Sequence, residues 1–435
     1  MSFESVEVVE VVAWGDTVGA VAMDGATGSY AFEYDPEWFD RGVQLAPLYM
    51  PNGAGVFVFP SLSPQTFYRL PPLLADSLPD RFGNALIDTW MAQHGVPAAA
   101  VTPLDRLAYS ANRAMGALEF RPPVGGPDTS STSVIALADL VNAARHAISG
   151  RLADSADAED ALSQLIAVGS SAGGARAKAV IAYHPGTDQI RSGQLDAPDG
   201  FEHWLIKLDG VDADPTREPT FADGEAFGII EYAYYLMARA AGVEMSECRL
   251  LREGPRNHFM TRRFDRYGSS GRLHMLSLCG LAHLDFNMAG AHGYEQYLAT
   301  IDQLELGPEA RQQTFRRIVF NVAAVNRDDH TKNLAFLCTD SGEWSLSPAF
   351  DITYAHNPSG SWTARHQMTV AGKSDGITRA DLEDLGNRFV VPGYRQTIDE
   401  VLDAVARWKD FAETAGLGEQ ITDAISNDHR RNRPS

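Results

Sequence analysis

Cysteine is scarce in this chain of 435 residues. Only Cys248, Cys279 and Cys338 occur, and they are widely separated. An odd number of scattered cysteines argues against a disulfide framework and against a cysteine-based zinc site. The cysteine content instead fits the reducing environment of the cytoplasm, where we expect the protein to be located.

Long apolar runs are also missing. The sequence has no stretch of about 18 apolar residues, the length that a transmembrane helix needs. Its first residues, Met1-Ser2-Phe3-Glu4-Ser5, lack the basic and then apolar pattern of a signal peptide. Because 44% of the residues are hydrophobic, the chain can still bury a core, and its length predicts two or three units. We therefore expect a globular protein with no membrane partner.

Positive charge is in short supply as well. The chain has 36 lysines and arginines against 57 aspartates and glutamates, which gives a formal net charge of −21. Direct binding to nucleic acid needs a basic surface that displaces the counterions of the phosphates. The composition therefore argues against direct DNA binding and favours a basic protein partner, although solubility alone also accounts for an acidic total.

The N-terminal region predicts a small domain of strands and helix. Residues 6–34 contain short β-branched runs separated by glycine-containing turns, which is typical of an antiparallel sheet. In residues 79–93 the apolar residues are spaced as on one face of a helix, and Gly95 is placed to end it. Residues 121–133 are rich in proline, glycine, serine and threonine and predict a domain boundary.

Two patterns near the other end of the chain predict helices. Thr378-Arg379-Ala380-Asp381 fits a capping box, in which the threonine and the aspartate satisfy the first backbone N–H groups of a helix. Residues 396–415 have the apolar spacing of one long amphipathic helix.

The main candidate for an active site is the polar stretch Asn326-Arg327-Asp328-Asp329-His330-Thr331-Lys332-Asn333, which lies between two apolar segments. Asp328 and Asn333 have the Asp-to-Asn spacing of a protein-kinase catalytic loop. A further acid, Asp351, follows a predicted strand and turn. Aspartate and asparagine also gather in loops simply to satisfy turns. Burying so many polar groups between apolar flanks is unfavourable unless they bind a metal or a partner, which favours a functional site.

Two further segments suit phosphate binding. Residues 169–174, Gly-Ser-Ser-Ala-Gly-Gly, can bring backbone N–H groups around an anion, although a plain turn explains the same residues. They also match the nucleophile elbow of hydrolases, but the strand predicted from Lys178 onwards argues against that fold. In the predicted strand 204–208, Lys207 lies on the face opposite its apolar neighbours and is placed like the phosphate-binding lysine of kinases.

The segments 326–333 and 346–352 together resemble the catalytic core of the HipA-type toxin kinases. These are serine/threonine kinases of bacterial type II toxin–antitoxin systems. Residues 170–178, 203–208 and 263–266 resemble other motifs of the family and occur in the family's order.

The N-terminal region resembles that of the family more loosely, through Tyr34-Asp35-Pro36-Glu37-Trp38 and Leu78-Pro79-Asp80. The resemblance implies an α+β fold that is kinase-like and two-lobed, with a small N-terminal α/β subdomain. The division that we predict is an N-terminal subdomain over residues 1–125, an α/β nucleotide-binding lobe over residues 134–266 and a helical catalytic lobe over residues 267–435.

The same resemblance implies a kinase that uses ATP and Mg²⁺, which bind between the two larger lobes. Asp328 is implied as the acceptor of the substrate's hydroxyl proton, and Asn333 and Asp351 as the residues that hold Mg²⁺. Within the hinge, Arg262 stands where the best-known family members carry a glutamate, a difference of little consequence because backbone groups contact the adenine. Asp265 is implied to meet the ribose. Contacts to ATP are implied for Ser170, Ser171, Ala172, Gly173, Gly174, Lys178, Lys207, Arg262, Phe264, Asp265 and Lys332.

Regulation and partners are implied in the same way. Ser171 stands where the family's kinases phosphorylate themselves, with the adjacent Ser170 as the alternative. A phosphate there adds a charge of about −1.5 to −2, so the loop cannot hold both the phosphate and ATP. The implied partners are a HipB-like DNA-binding antitoxin, with DNA contacted only indirectly through it, and a protein substrate such as glutamyl-tRNA synthetase or another aminoacyl-tRNA synthetase. Phosphorylation of that substrate is implied to arrest growth and to produce persistence.

Two other classes of protein remain as alternatives. A metal-dependent hydrolase can be built from Asp328, Asp329, His330 and Asp351, because carboxylates and imidazole bind catalytic cations. That reading leaves no task for Lys207 or the glycine segment. A catalytically silent antitoxin-binding module is the other alternative, and it does not need the kinase-like residues. No role for Asp329 or His330 follows from the sequence, beyond a structural hydrogen bond for the histidine.

Overall fold

A computed structural model of the protein describes residues 5–123, 137–148, 177–193, 196–211 and 226–435. The chain folds into two compact units, each made of several segments. Within the described ranges, no helix is long and apolar enough to cross a bilayer. The threefold division predicted above stays a prediction. Unit 1 contains Met1–Arg217, Met260–Leu276 and Leu337–Glu343, and unit 2 contains Glu218–Phe259, Ser277–Phe336 and Trp344–Ser435.

Unit 1 begins with an antiparallel sheet of strands β1 (Val8–Ala13), β2 (Asp16–Asp24), β3 (Ser29–Tyr34), β4 (Val56–Phe57) and β5 (Leu118–Arg121). The strand order is β4-β3-β2-β1-β5. In β1 the side chains of Val9 and Val11 are buried and Val8 is exposed, as the alternation of a half-buried strand requires. Trp14 and Gly15 join β1 to β2 with positive φ at both positions, the geometry of a tight hairpin turn. The sheet predicted for residues 6–34 is confirmed.

Short helices accompany this sheet, and several begin at a proline, whose fixed φ suits the first helical position. The longest of them was predicted: the Asp80 side chain accepts a hydrogen bond from the Gly83 N–H at 2.8 Å and caps its start. Gly95, at φ 80°, follows its end. The helices are α1 (Pro36–Arg41), α2 (Pro64–Phe67), α3 (Pro72–Ala75), α4 (Arg81–Gln93) and α5 (Pro103–Ser110).

The next described elements are α6 (Leu137–Ile148) and the strands β6 (Lys178–His184), β7 (Gln189–Ser192) and β8 (Glu202–Lys207). Strand β6 lies between β7 and β8 and pairs antiparallel with both. The strands predicted at Lys178 and at residues 204–208 are confirmed. Their register places Lys178 directly opposite Lys207, so the two lysines leave the same face of the sheet.

The chain then passes through unit 2 and back into unit 1. Helix α7 (Phe227–Ala240) is rich in aromatic residues and buries Tyr234 completely. The short strands β11 (Arg266–Tyr267) and β12 (Gly271–Arg272) pair antiparallel, with Arg266 opposite Arg272. The elements are α7 (Phe227–Ala240), β9 (Cys248–Glu253), β10 (Arg256–Arg262), β11 (Arg266–Tyr267), β12 (Gly271–Arg272) and β13 (His274–Ser277).

The rest of unit 2 is mostly helical, as predicted for the second half of the chain. The elements that follow along the chain are α8 (Leu278–Ala282), β14 (His292–Gly293), α9 (Tyr294–Gln303), α10 (Gly307–Ala323), β15 (Ala335–Cys338), β16 (Trp344–Leu346), β17 (Met368–Thr369), α11 (Arg379–Arg388), α12 (Tyr394–Ala406), α13 (Trp408–Ala415) and α14 (Glu419–Arg431). Of these, β15 passes from unit 2 into unit 1. Helix α10 forms the core and packs against α9 and α12. Its Phe315, Ile318, Val319 and Phe320 are fully buried. These positions lie on more than one face, so the C-terminal half of the helix is enclosed on all sides.

The capping box at the start of α11 is confirmed, because Thr378 and Asp381 exchange their hydrogen bonds as predicted. The single helix predicted over residues 396–415 is wrong. The chain makes α12 and α13 with a turn at Arg407, whose N–H donates to the Ala404 carbonyl three residues earlier. The turn redirects the chain so that Trp408 is buried, a tertiary gain that apolar spacing alone does not show.

Candidate active site

The polar stretch 326–333 follows the buried C-terminal half of α10 at a sharply fixed turn. Val325 has φ 55°, and the Ala324 carbonyl accepts a hydrogen bond from the Tyr234 hydroxyl at 2.6 Å. The side chain of Asn326 donates to the Asn321 side chain at 2.9 Å, back across the turn. These contacts fix the direction in which the chain leaves the helix.

Asp329 is the buried anchor of the stretch. Its carboxylate has no exposed surface and accepts hydrogen bonds from the Tyr294 hydroxyl at 2.7 Å, the His366 Nδ1 at 2.8 Å and the Gln367 N–H at 2.7 Å. Burial and the charge of Asp329 raise the pKa of Tyr294 well above its ordinary value, so the hydroxyl stays protonated and donates. Asp329 therefore has a structural role, which the sequence did not reveal.

Arg327 is a second anchor. It is 4% exposed, and its guanidinium donates to the Ala364 carbonyl, to the Asp375 carboxylate at 2.9 Å and to the Asn432 side chain at 2.8 Å. Its backbone N–H donates to the Ala355 carbonyl at 3.1 Å. The residue between Arg327 and Asp329 is thus held from both sides.

That residue is Asp328, whose side chain is 41% exposed. Its Oδ1 accepts a hydrogen bond from the Trp362 indole N–H at 2.6 Å and lies 3.7 Å from His330 Nε2. Its backbone carbonyl accepts from the Asn333 side-chain amide at 2.8 Å. Among the described residues, none donates a hydrogen bond to Asp328 Oδ2. The stretch therefore presents one exposed carboxylate on a rigid backbone, which is what a general base requires.

Asn333 and Asp351, the predicted magnesium residues, both offer oxygen. Because the Asn333 amide nitrogen already donates to the Asp328 carbonyl, its side-chain oxygen is left to accept or to coordinate. Asp351 follows β16 and adopts φ 52°, a conformation that aspartate tolerates better than most residues. A carboxylate and an amide oxygen are ligands that Mg²⁺ prefers, together with water and phosphate oxygens. The donor set therefore fits Mg²⁺.

His330 and Lys332 are placed around Phe286. The centroid of the His330 ring lies 5.4 Å from that of Phe286 and 6.1 Å from that of Trp362, and Lys332 Nζ lies 5.4 Å from the Phe286 centroid. In the ranges that the structure describes, no group of three or more acids, histidines or cysteines could hold a metal. Asp329, one of the ligands of the hydrolase alternative, already accepts three hydrogen bonds through its carboxylate.

The predicted phosphate residues of unit 1 face each other. Lys178 and Lys207 are cross-strand neighbours, and like charges directly opposite each other in a sheet are unfavourable. Lys178 is 2% exposed and lies 3.6 Å from the Asp80 carboxylate. A second lysine on the same face of the sheet gives this face positive groups of the kind that bind phosphate. The predicted glycine-segment residues Ser170, Ser171, Ala172, Gly173 and Gly174 lie outside the described residues.

The structure does not place Asp265 for a ribose contact. Its carboxylate is fully buried and accepts hydrogen bonds from Arg263 at 2.9 and 2.6 Å, Arg266 at 2.7 Å and the Gly116 N–H at 2.8 Å. Burial raises the pKa of Asp265, but the charges of Arg263 and Arg266 outweigh it and lower the pKa below its ordinary value. The carboxylate thus links the turn between β10 and β11 to the segment just before β5.

The other two hinge residues are more accessible. Arg262 is half-exposed and pairs with the Glu202 carboxylate at 3.3 Å, and Phe264 is half-buried. Their predicted contacts to ATP stay predictions, as does that of Lys332.

Two family models match this sequence. Residues 9–121 match the HipA N-terminal domain, and residues 170–421 match the HipA-like C-terminal domain. No curated protein sequence matches the chain.

Two solved structures are similar to this chain. HipA of Shewanella oneidensis MR-1, determined with HipB and its operator DNA, has a TM-score of 0.64 at 14% identity, covering 98% of this chain and 95% of that chain. The proinflammatory kinase CtkA of Helicobacter pylori has a TM-score of 0.34 at 13% identity, covering 54% of this chain and 90% of that chain. The predicted fold class, an α+β kinase-like two-lobed fold with a small N-terminal subdomain, is confirmed.

Proposed function

Because this chain belongs to the HipA family, we propose that it is a protein serine/threonine kinase that uses ATP and Mg²⁺ and acts as a growth-arresting toxin. The single observation that carries the proposal is the contrast within the stretch 326–333. Arg327 and Asp329 are buried anchors, whereas the side chain of Asp328 between them is partly exposed. A structural turn has no need for an exposed acid held so firmly.

Asp328 is the general base in this proposal. It orients the substrate hydroxyl and accepts its proton when the hydroxyl oxygen attacks the γ-phosphate. Phosphoryl transfer depends on positioning and on charge neutralisation more than on covalent chemistry. The rigid backbone around Asp328 supplies the positioning.

Asn333 and Asp351 are the residues that we assign to Mg²⁺. When bound, the ion neutralises charge on the phosphates. The hydrogen bond from the Asn333 amide nitrogen to the Asp328 carbonyl fixes the amide oxygen relative to the base. The base and one metal-binding side chain are therefore oriented by the same loop.

Lys207, together with Lys178, is assigned to the ATP phosphates because the two ammonium groups share one sheet face. The glycine segment with Ser170, Ser171, Ala172, Gly173 and Gly174, and also Lys332, are assigned to the same phosphates on the family resemblance. We assign the contacts with the adenine to backbone groups near Arg262 and Phe264. We leave Asp265 out of the nucleotide site, because its carboxylate is engaged elsewhere.

The biological setting is proposed from the family. We assign the protein to the cytoplasm, with a HipB-like antitoxin as its partner and with DNA contacted only through that antitoxin. The solved HipA complex contains HipB and operator DNA, which supports this assignment, as does the acidic charge of −21. The proposed substrate is an aminoacyl-tRNA synthetase such as glutamyl-tRNA synthetase, and its phosphorylation accounts for growth arrest and persistence. Autophosphorylation at Ser171, or at the adjacent Ser170, inactivates the kinase.

Phosphoproteomics after brief expression tests the proposal. Wild-type protein should produce new phosphoserine or phosphothreonine peptides and growth arrest, and Asp328→Asn should produce neither. The swap is nearly isosteric and removes the proton acceptor, so the melting temperature should change little. Asp340→Asn makes the same chemical change at an exposed position in the other unit and should behave as the wild type. New phosphopeptides at wild-type level from a folded Asp328→Asn protein contradict the kinase assignment.

A further inference from the structure

The side chain of Trp362 contacts Asp328, the base of the proposed reaction, and the proposed function gives Trp362 no role. The indole N–H of Trp362 donates to Asp328 Oδ1 at 2.6 Å, a short distance that is typical of hydrogen bonds to a charged acceptor. Trp362 is half-buried, and its ring meets that of His330 edge to face at 6.1 Å. The indole is therefore held on the base by a polar and an aromatic contact at once.

The backbone that carries Trp362 is fixed to the same loop. The Trp362 carbonyl accepts a hydrogen bond from the Gln367 side-chain amide. The N–H of Gln367 donates to Asp329 Oδ1 at 2.7 Å, and Arg327 donates to the Ala364 carbonyl. The two anchors that flank Asp328 thus also hold residues 362–367, so the indole and the base belong to one rigid assembly.

This arrangement distinguishes the two oxygens of the base. A carboxylate turns readily about the bond to its Cβ, because that torsion is broad. With Oδ1 occupied by the indole, Oδ2 has no hydrogen-bond donor within the described part of the chain. Oδ2 is therefore the oxygen that can meet a hydroxyl. Trp362 restricts the carboxylate to one orientation without itself reaching the reacting atoms.

We infer that Trp362 is a positioning residue that orients Asp328 for phosphoryl transfer through its indole N–H, an inference that rests on the proposed kinase function. In that reaction the hydroxyl oxygen bonds to the γ-phosphorus of ATP, the bond from this phosphorus to the β,γ-bridging oxygen breaks, and ADP leaves. The hydroxyl proton goes to Asp328 Oδ2. The opposite reading, in which the indole occupies the place of the substrate hydroxyl and inhibits the enzyme, is a separate outcome of the test.

The kinetic test removes the N–H donor in two ways. Trp362→Phe keeps an aromatic ring, and a benzothienylalanine introduced at position 362 keeps the shape of the indole with sulfur in place of N–H. Both should lower kcat by about tenfold to a hundredfold, the loss that a misplaced catalytic group produces, and leave the KM for ATP nearly unchanged. Trp408→Phe is the matched control, because it loses an indole hydrogen bond of 3.0 Å to the Thr422 carbonyl in the same unit. Its folded fraction should keep the wild-type kcat.

The results distinguish failure of this inference from failure of the proposed function. A wild-type kcat in both variants at position 362 overturns the inference, and a raised kcat shows the inhibitory contact instead. Absence of transfer by the wild-type protein refutes the proposed function itself. An independent readout follows the contact without catalysis, through the indole ¹H–¹⁵N resonances of the seven tryptophans. Trp362→Phe identifies one resonance by its loss, and Asp328→Ala should shift that resonance more than any other. No shift also overturns the inference.

Discussion

Asp328 and Asp329 are adjacent in sequence but occupy opposite environments: the side chain of Asp328 is 41% exposed, whereas that of Asp329 has no exposed surface. Asp329 accepts hydrogen bonds from three residues, and Asp328 accepts only one on its side chain from the described residues. Asp329 therefore stabilises the loop, and Asp328 is the acid that we propose as the base. This division of roles leads to opposite predictions for the two aspartates.

Asp329→Ala should destabilise the protein. The substitution leaves Tyr294, His366 and the Gln367 N–H without their buried acceptor, and the loss of one partner from such a group costs about 3 kcal/mol or more. Urea unfolding should show a clearly lower midpoint than in the wild type. Asp328→Ala, at the exposed neighbour, is the control and should change the midpoint far less. Equal changes in the two variants contradict the anchoring role of Asp329.

Asp351→Ala should remove the benefit of Mg²⁺ for ATP binding. The carboxylate is one of the two side-chain oxygen donors that we assign to the ion, and charge neutralisation at the phosphates depends on the ion. Calorimetry should show that wild-type protein binds ATP more tightly with Mg²⁺ than without it, and that Asp351→Ala binds ATP equally weakly in both conditions. Asp340→Ala is the control, and its ATP affinity should increase with Mg²⁺ as in the wild type. An unchanged metal dependence in Asp351→Ala argues against the proposed metal site.

Acid should destabilise unit 2 through His429. Burial lowers the pKa of this imidazole to about 4, from about 6.5 in an unfolded chain. Between these values the unfolded chain binds more protons than the folded protein, so stability is complete above about pH 6.5 and decreases as the pH falls towards 4. His429→Gln should therefore reduce the difference in urea midpoint between about pH 7.5 and about pH 5. His94→Gln, at an exposed histidine, is the control. If the urea midpoint of His429→Gln falls between the two pH values as much as that of the wild type, this histidine is not the source of the acid destabilisation.

Autophosphorylation at Ser171 is predicted from the family resemblance alone, because the residue lies outside the described ranges. Mass spectrometry after incubation with Mg-ATP should find phosphate on this peptide in the wild type and none in Asp328→Asn. Ser171→Asp should lose ATP binding, since a negative charge within the glycine segment repels the ATP phosphates. ATP binding by Ser170→Asp tests the adjacent serine in the same way. Normal ATP binding by Ser171→Asp contradicts inactivation by this phosphate even if the modified peptide is found.

The parts of the fold that depend on neighbouring residues were predictable. The antiparallel sheet of residues 6–34 follows from alternating apolar residues and tight turns, and α4 follows from helical spacing after the cap Asp80. The exposed acid of the site, Asp328, was predicted for the same reason, because its relation to Asn333 lies within one loop. The structure adds that the two residues are linked by a hydrogen bond.

The parts that depend on distant residues were not predictable. The Arg407 turn, which separates α12 from α13, serves the burial of Trp408 and leaves no local signal. Asp265 has the sequence position of a ribose-binding acid, yet two arginines and the Gly116 N–H use its carboxylate. Whether an acid faces solvent or another charge is decided by what packs over it.

The sequence by itself determined the loop, its polar residues and the order in which they occur, because short-range spacing is enough to specify turns and to present a base and an amide together. Only the tertiary structure decided that Asp329 is the buried anchor and that the side chain of Asp328 stays partly exposed. The partners that make this decision, Tyr294, Trp362, His366 and Gln367, lie 34 to 38 positions away along the chain. Such contacts form when separate elements pack, and no local period or propensity encodes them.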